Sequence, residues 1–381
     1  MKLKIFLLLQ AVFINQLLSQ NINTYVSEIK IDSLVKTVRD LSGEDSTYIN
    51  GIKTLINNRF SNTGNNLAAD YIKERLKSYN LTITDQKYSS VGRNIVATQI
   101  GATFPDSIYI ICAHYDAVNS YCADDNASGT ATVIEVARIL SEECFDFTIV
   151  YALWDEEEQG LLGSNYYAQQ AKINNESILG VINLEMLGYD SDNDTKFDIH
   201  SNSDPNSLLL KDSLISIINS QGLSLMPHII NPGSPASDHS SFWNQNYGAV
   251  VFGESFFGGD GNPAYHQAND RINLFNIPYF KELSKLSVAI LASLARPCTT
   301  TSIEELKTFD ISIYPNPTSH QISVETELEF HELSIVDIMG KPIMIIKKNT
   351  SILNIADLPN GIYFIKASID KKTIIKKFIK R

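Results

Sequence analysis

The sequence predicts an α/β protein: a three-layer α/β/α domain with a mostly parallel mixed sheet over residues 21–297, then a small all-β sandwich over 311–381. Three observations lead there. Apolar, strand-like runs alternate with segments of helical period through the long first part, the pattern of strands joined by crossover helices. Some runs are apolar almost throughout, as in Ile108-Tyr-Ile-Ile-Cys112, which suits a strand covered on both faces. Beyond Pro297 the pattern becomes short alternating runs punctuated by turn residues. A length of 381 residues fits two to three domains at roughly 150 residues each.

Taken in order, the first element is a leader. Lys2 and Lys4 precede the apolar run 5–14, which is too short for a bilayer that takes about 20 residues, and a polar stretch ends at Gln20. Residues 1–20 therefore read as a signal peptide. No later segment reaches transmembrane length, so the mature protein is expected to lack a transmembrane segment. Residues 64–79 place Leu67, Ala68, Tyr71, Ile72, Leu76 and Tyr79 on one helical stripe. Residues 94–100 and 107–113 read as strands, 127–140 as a helix, 147–154 as a strand and 160–171 as a helix. Two more strands, 178–186 and 247–253, precede a mostly helical closing segment, 272–294. A polar linker, 298–310, follows. From Ile311, runs at 311–314, 321–325, 332–337, 361–366 and 373–376 are separated by turns such as Pro315-Asn-Pro317 and Pro359-Asn-Gly361, predicting six or seven short strands.

Hydrophobic residues make up 44% and charged residues 19% of the chain, enough apolar material for an ordinary core and against wholesale disorder. The net charge of −12 disfavours binding to phosphate backbones. Residues 21–310 hold 19 basic and 36 acidic residues, so the acidity is concentrated in the α/β part. It reads either as a solvated surface or as a carboxylate-rich site for cations. Four cysteines, Cys112, Cys122, Cys144 and Cys298, allow disulfides in an exported chain, and the sequence does not choose among the pairings or free thiols.

Polar residues fall at the carboxyl ends of the predicted strands, where open α/β sheets place their ligand sites. His114 and Asp116 follow strand 107–113, and Asp124 and Asp125 precede a helix. Glu156, Glu157 and Glu158 follow strand 147–154, Glu185 ends strand 178–186, and His266 lies in a loop after 247–253. Singly, each has an ordinary explanation: a loop histidine, a helix N-cap, or acids at a helix start. Gathered at one sheet edge, the carboxylates would repel unless a cation held them. Imidazole with carboxylate suits zinc, and two histidines with three or more acids exceed one tetrahedral shell, which suggests two metals sharing a carboxylate.

The stretches Ala113-His-Tyr-Asp116, Ala123-Asp-Asp-Asn-Ala-Ser-Gly129, Asp155-Glu-Glu-Glu-Gln-Gly160, Asn183-Leu-Glu-Met186, Ser237-Asp-His239 and Tyr265-His266 resemble metallopeptidase family 28, the two-zinc exopeptidases of the bacterial leucyl-aminopeptidase type. The resemblance implies that His114 and Glu185 hold one zinc, that Glu158 and His266 hold the other, and that Asp125 bridges them, with a cis peptide after Asp125. It implies Glu157 as general base and Asp116 as the residue orienting the His114 imidazole. Gly160 sets the register, because the family's Glu-Glu-x-Gly fits only Glu157 and Glu158. Two departures stand out. Glu185 occupies a position where many members carry Asp, and residues 231–236 lack the tyrosine that some members use to hold the tetrahedral intermediate. Oxyanion stabilisation would then fall to a zinc or another donor.

Tyr314-Pro-Asn-Pro-Thr318, Leu358-Pro-Asn-Gly-Ile-Tyr363 and the basic tail 371–381 resemble the type A sorting domain of the type IX secretion system. That resemblance implies passage through the periplasm and a secreted or surface-attached protein, with the secretion machinery as partner through residues 311–381. Together the expectation is a secreted aminopeptidase carrying two zinc ions and acting on peptides with a free N-terminus. The alternatives are a single-zinc glutaminyl cyclase-like enzyme and a non-catalytic binding protein of the same fold. Zinc content of two, one or none per chain separates them.

Overall fold

A computed structural model describes residues 22–298, 312–325, 332–337, 340–346, 352–369 and 372–381. The expected signal peptide, and the linker beyond Cys298, lie outside the described residues. The chain divides into two compact units, Met1–Cys298 and Thr299–Arg381.

The first unit is built on an eight-stranded mixed sheet. Its strands are β3 (Thr82–Lys87), β4 (Arg93–Gln99), β5 (Phe104–His114), β6 (Phe147–Trp154), β7 (Ser177–Glu185), β8 (Lys196–His200), β9 (Met226–Ile230) and β10 (Ala249–Glu254), in the order β3-β4-β6-β5-β7-β10-β8-β9. A small hairpin of β1 (Thr47–Ile49) and β2 (Ile52–Thr54) precedes them. The four central strands β6, β5, β7 and β10 run parallel, and β4 and β8 join them antiparallel on either side. The apolar runs seen in the sequence are these central strands. Ile110, Ile111, Cys112 and Ala113 of β5 are all fully buried, because helices cover both faces.

Helix α1 (Ile31–Leu41), α3 (Gly129–Leu140) and α7 (Ile277–Ala295) pack on one side through Leu34, Val38, Val133, Val136, Leu286 and Ile290. The other side is covered by α4 (Leu162–Ile173) and α6 (His239–Trp243), where Trp154, Ala168 and Phe242 share a second cluster. Two further helices of the unit are α2 (Asn62–Lys77), capped by the Ser61 side chain, and α5 (Pro205–Gln221), capped by Asp204 with Pro205 in its first turn. Cys144, just after α3, is disulfide-bonded to Cys298, just after α7, while Cys112 and Cys122 are free and buried.

The second unit is all-β. A three-stranded sheet, β11 (Ser312–Tyr314), β12 (Gln321–Glu325) and β15 (Ile352–Asn354), and a four-stranded one, β13 (Glu332–Val336), β14 (Pro342–Ile346), β16 (Gly361–Ile369) and β17 (Lys372–Lys380), are antiparallel throughout. Ile322, Val324 and Leu353 of the first meet Leu333, Ile335, Ile365 and Phe378 of the second in one core, which makes this unit a sandwich with its own interior. Among the described residues no helix is long and apolar enough to cross a membrane.

Candidate metal centre

The carboxyl ends of β5, β6, β7 and β10 bring the predicted site residues together. His114 closes β5 and is buried; its Nδ1 lies 3.3 Å from Asp116 Oδ1. Its Nε2 faces Glu185 Oε1 at 3.2 Å and Asp125 Oδ1 at 3.4 Å. His266, on a loop and with a left-handed backbone, faces Asp125 Oδ2 at 3.3 Å and Glu158 Oε2 at 3.2 Å through its own Nε2. Among the described residues, three overlapping groups at this centre have their ligand atoms within 4.8 Å of one another: the triads His114/Asp125/Glu185 and Asp125/Glu158/His266, and His114/Glu157/Glu158. Asp125 belongs to the first two, one oxygen toward each imidazole.

Local structure places these heads. After β6, Glu156 takes a left-handed backbone and its carboxylate lies against Gly92 and Tyr88, away from the imidazoles. Glu157 and Glu158 turn inward instead, their backbone N–H groups donating to Asp116 Oδ1 and Oδ2 at 3.1 and 3.2 Å. Asp116 thus ties His114 to the glutamate turn, a link beyond the imidazole-orienting role suggested by the resemblance. Asn126 joins the Asp125 loop to β7: its amide donates to the Leu184 carbonyl at 2.8 Å and its oxygen accepts from Met186 N–H at 3.2 Å and Gly129 N–H at 3.0 Å. A Cβ on Gly129 would lie 2.4 Å from that oxygen, so only glycine fits there. The Asp125–Asn126 peptide is cis.

Three further residues position the site, two of which, Asp270 and Arg59, carry no signal in the sequence. Asp270 accepts from the Asp124 and Asp125 N–H groups, both at 3.0 Å, binding the loop that carries His266 to the one that carries Asp125. Arg59, fully buried, donates to five carbonyls, among them Cys122 at 2.7 Å and Asp125 at 3.3 Å. Ser237 donates to Glu185 Oε2 at 2.6 Å while accepting from Asn183 at 2.8 Å, which fixes the longer glutamate side chain. The Ser237-Asp-His motif was visible in the sequence; the partners of Arg59 and Asp270 were not.

The electrostatics follow from crowding. Burial, with the Asp238, Glu185 and Glu158 carboxylates acting against His114, pushes Glu157 up to about 10. Burial and the neighbouring Asp125 push Glu158 up to about 9. Burial alone would lower His114, but Glu185, Glu157, Asp116 and Asp125 hold it well above an ordinary imidazole. Such a cluster takes up protons, and a divalent cation would displace them. The donor set of two imidazoles and three carboxylates fits zinc. So do the bare oxygens: Asp125 Oδ2 and Glu158 Oε1 are buried with no hydrogen-bond partner.

Tyr265 stacks on His266, ring centroids 3.7 Å apart, and lines the same cleft. Burial and the carboxylates of Asp125, Glu185, Glu158 and Glu157 push its phenol upward, so it stays an O–H donor. Tyr265 is a tyrosine lining the cleft from outside residues 231–236.

Residues 94–291 match the sequence profile of Peptidase family M28, and residues 312–381 that of the secretion system C-terminal sorting domain. A probable zinc metalloprotease of Pyrenophora teres f. teres is 29% identical over 188 residues, 43% of this chain and 38% of the fungal protein. The chain thus spans well under half the length of that curated relative. Among solved structures, the LapA aminopeptidase of Legionella pneumophila superposes with a TM-score of 0.62 at 22% identity, covering 72% of this chain and 75% of its own. The glutaminyl cyclase of Porphyromonas gingivalis superposes with a TM-score of 0.57 at 17% identity, covering 70% and 98%. Both structural likenesses are of fold.

Proposed function

The chain belongs to Peptidase family M28, a family of zinc metallopeptidases, and ends in a secretion system sorting domain; on that premise we propose that it is a secreted aminopeptidase that holds two zinc ions and hydrolyses the first peptide bond of peptides with a free N-terminus. The observation that carries this reading is Asp125, whose two oxygens face different imidazoles. His114, Asp125 and Glu185 would hold one zinc, and Asp125, Glu158 and His266 the other.

Zinc, when bound, supplies Lewis-acid polarisation of the scissile carbonyl and makes water more acidic. The rest of the chemistry falls to side chains. Glu157 lies beside both triads and is the base that takes the proton from the attacking water, then delivers it to the leaving amine. The Tyr265 phenol donates to the carbonyl oxygen as charge develops there. Asp116 keeps His114 and the Glu157–Glu158 turn in register, so base and ligands move as one body. The carboxylate-rich mouth favours an α-ammonium group, which accounts for a free N-terminus as the point of recognition. Export follows from the sorting domain, with the secretion machinery as partner and an extracellular or surface location.

Metal content and two substitutions test the reading together. The native protein should contain two zinc ions per chain. Glu157→Gln should keep both and lose roughly 10²–10⁴-fold in turnover, while Glu158→Gln should lose one zinc and recover partly when zinc is added in excess. N-acetylated peptides should resist cleavage. One zinc per chain, efficient hydrolysis of blocked peptides, or equal zinc loss from both variants would each defeat it.

A further inference from the structure

The cleft that holds the triads, about 180 Å³ in volume, extends beyond them across the sheet. Its direction is set by strand register. Glu185 on β7 pairs with Gly253 on β10, Gly253 with Asp198 on β8, and Asp198 with His228 on β9. Glu185 and Asp198 both line the cleft, and Gly253 between them raises no side chain. Neighbouring strands lie about 4.8 Å apart, so residues two strands apart such as Glu185 and Asp198 are separated by roughly 10 Å. Met186, Val251, Phe256 and Phe257 give this arm apolar walls, with His200 and Ser234 beside them.

Asp198 lies in this arm on the same strand as His200, which packs on Phe257. Asp198 is 2% exposed and accepts from Phe257 N–H at 2.6 Å, with His228 Nδ1 2.8 Å from its other oxygen. Each carboxylate oxygen has a second acceptor position, so both retain capacity toward the cleft. No lysine or arginine among the described residues lines the cleft to neutralise it. An aliphatic side chain filling this arm would leave the remaining acceptor positions of the carboxylate unused, which costs free energy. A long side chain ending in a cation would bury its stem and pair its head. Lysine carries its ammonium on the order of 6 Å beyond Cα, and arginine reaches somewhat further, matching the span from an α-amino group near Glu185 to Asp198.

We propose that this arm receives the substrate's N-terminal side chain and selects lysine and arginine, with Asp198 as the specificity-determining residue. The proposal rests on the aminopeptidase reading above. Zinc-loaded full-length protein would be assayed with lysyl, arginyl, leucyl and phenylalanyl p-nitroanilides. The expected result is kcat/KM at least about tenfold higher for the lysyl and arginyl substrates than for the leucyl one, and a lysyl-to-leucyl ratio that falls at least tenfold in Asp198→Asn. A second measurement needs no variant: free lysine should inhibit more strongly than norleucine, which has an uncharged stem of similar length. Preferential leucyl cleavage, with norleucine inhibiting as well as lysine, overturns the pocket assignment and leaves the aminopeptidase reading standing. No hydrolysis of any of the four overturns both.

Discussion

Arg59→Met is the most demanding test of how the metal loop is held. The arginine donates from Nε to Tyr115 O at 2.8 Å, from Nη1 to Leu41 O and Tyr121 O at 2.9 Å each, and from Nη2 to Cys122 O at 2.7 Å and Asp125 O at 3.3 Å. It therefore ties the end of α1, the residue after His114 and the Tyr121–Asp125 segment to one planar group. Methionine keeps the stem and removes every donor. Hydrogen bonds involving a charged group contribute about 1.5–3 kcal/mol net each. The four shorter bonds then amount to about 6–12 kcal/mol if nothing replaces them, comparable to the total stability of a domain. Water entering the vacated space would satisfy some carbonyls, so the expected loss is about 3–5 kcal/mol, the range for breaking a buried charged contact. Both tryptophans, Trp154 and Trp243, belong to the α/β unit, so their fluorescence in urea reports that unit alone. Chelator competition on the same variant should show weakened zinc binding, because the Asp125 and Cys122 carbonyls lose their anchor. A loss under about 1 kcal/mol with native zinc affinity would mean that the loop holds its shape without Arg59.

Three other outcomes follow from the same structure. In the zinc-free protein Glu157 and Glu158 titrate at about 10 and about 9 against an ordinary 4.5. Because these folded-state values are raised, the stability they contribute is complete below about pH 4.5 and is lost as pH rises through 9 to 10; thermal melts of the chelated protein should drop steadily between pH 5 and 10, and a flat or rising profile contradicts the assignment. Tyr265→Phe should lower kcat by about 10²-fold, with KM and zinc content near native, since only a hydrogen bond to the developing charge is removed; an unchanged kcat excludes the phenol from the reaction. Deleting residues 311–381 should leave purified peptidase activity intact, because the α/β unit has its own core, and should abolish export. Secretion of the truncated chain at the native level would contradict the sorting role.

The central strands were legible because burial on both faces leaves a continuous apolar run, as in β5, β6 and β7. Edge elements were not. In β3 and β9 solvent-exposed residues break the apolar pattern, and β8 and α5 are short or weakly patterned, so the stretch from 187 to 236 yielded no element until the fold was seen. Closing segment 272–294 proved to be a short turn of helix at Ile272–Leu274 and then α7 from Ile277, because Pro278 sits in the first helical turn and Asn276 caps it.

At the site the division is similar. Residue types and their order at strand ends are properties of the chain, and from them came the two imidazoles, the gathered carboxylates and the zinc chemistry they suit; that Asp125 is the shared carboxylate and that Glu157 and Glu158 are the paired glutamates came from the resemblance to the family. Which groups face one another is not a local property. That Asp125 turns one oxygen to each histidine, that Cys144 pairs with Cys298, that Asp270 grips the Asp125 amide and that Arg59 gathers five carbonyls all depend on segments tens to hundreds of positions apart. Backbone carbonyls and amides are the same at every residue, so no pattern of side chains marks the one an arginine or aspartate will reach. Only packing of the sheet against its helices, which sets strand order and register, puts Asp198 and Glu185 on either side of Gly253 and decides what the cleft can hold.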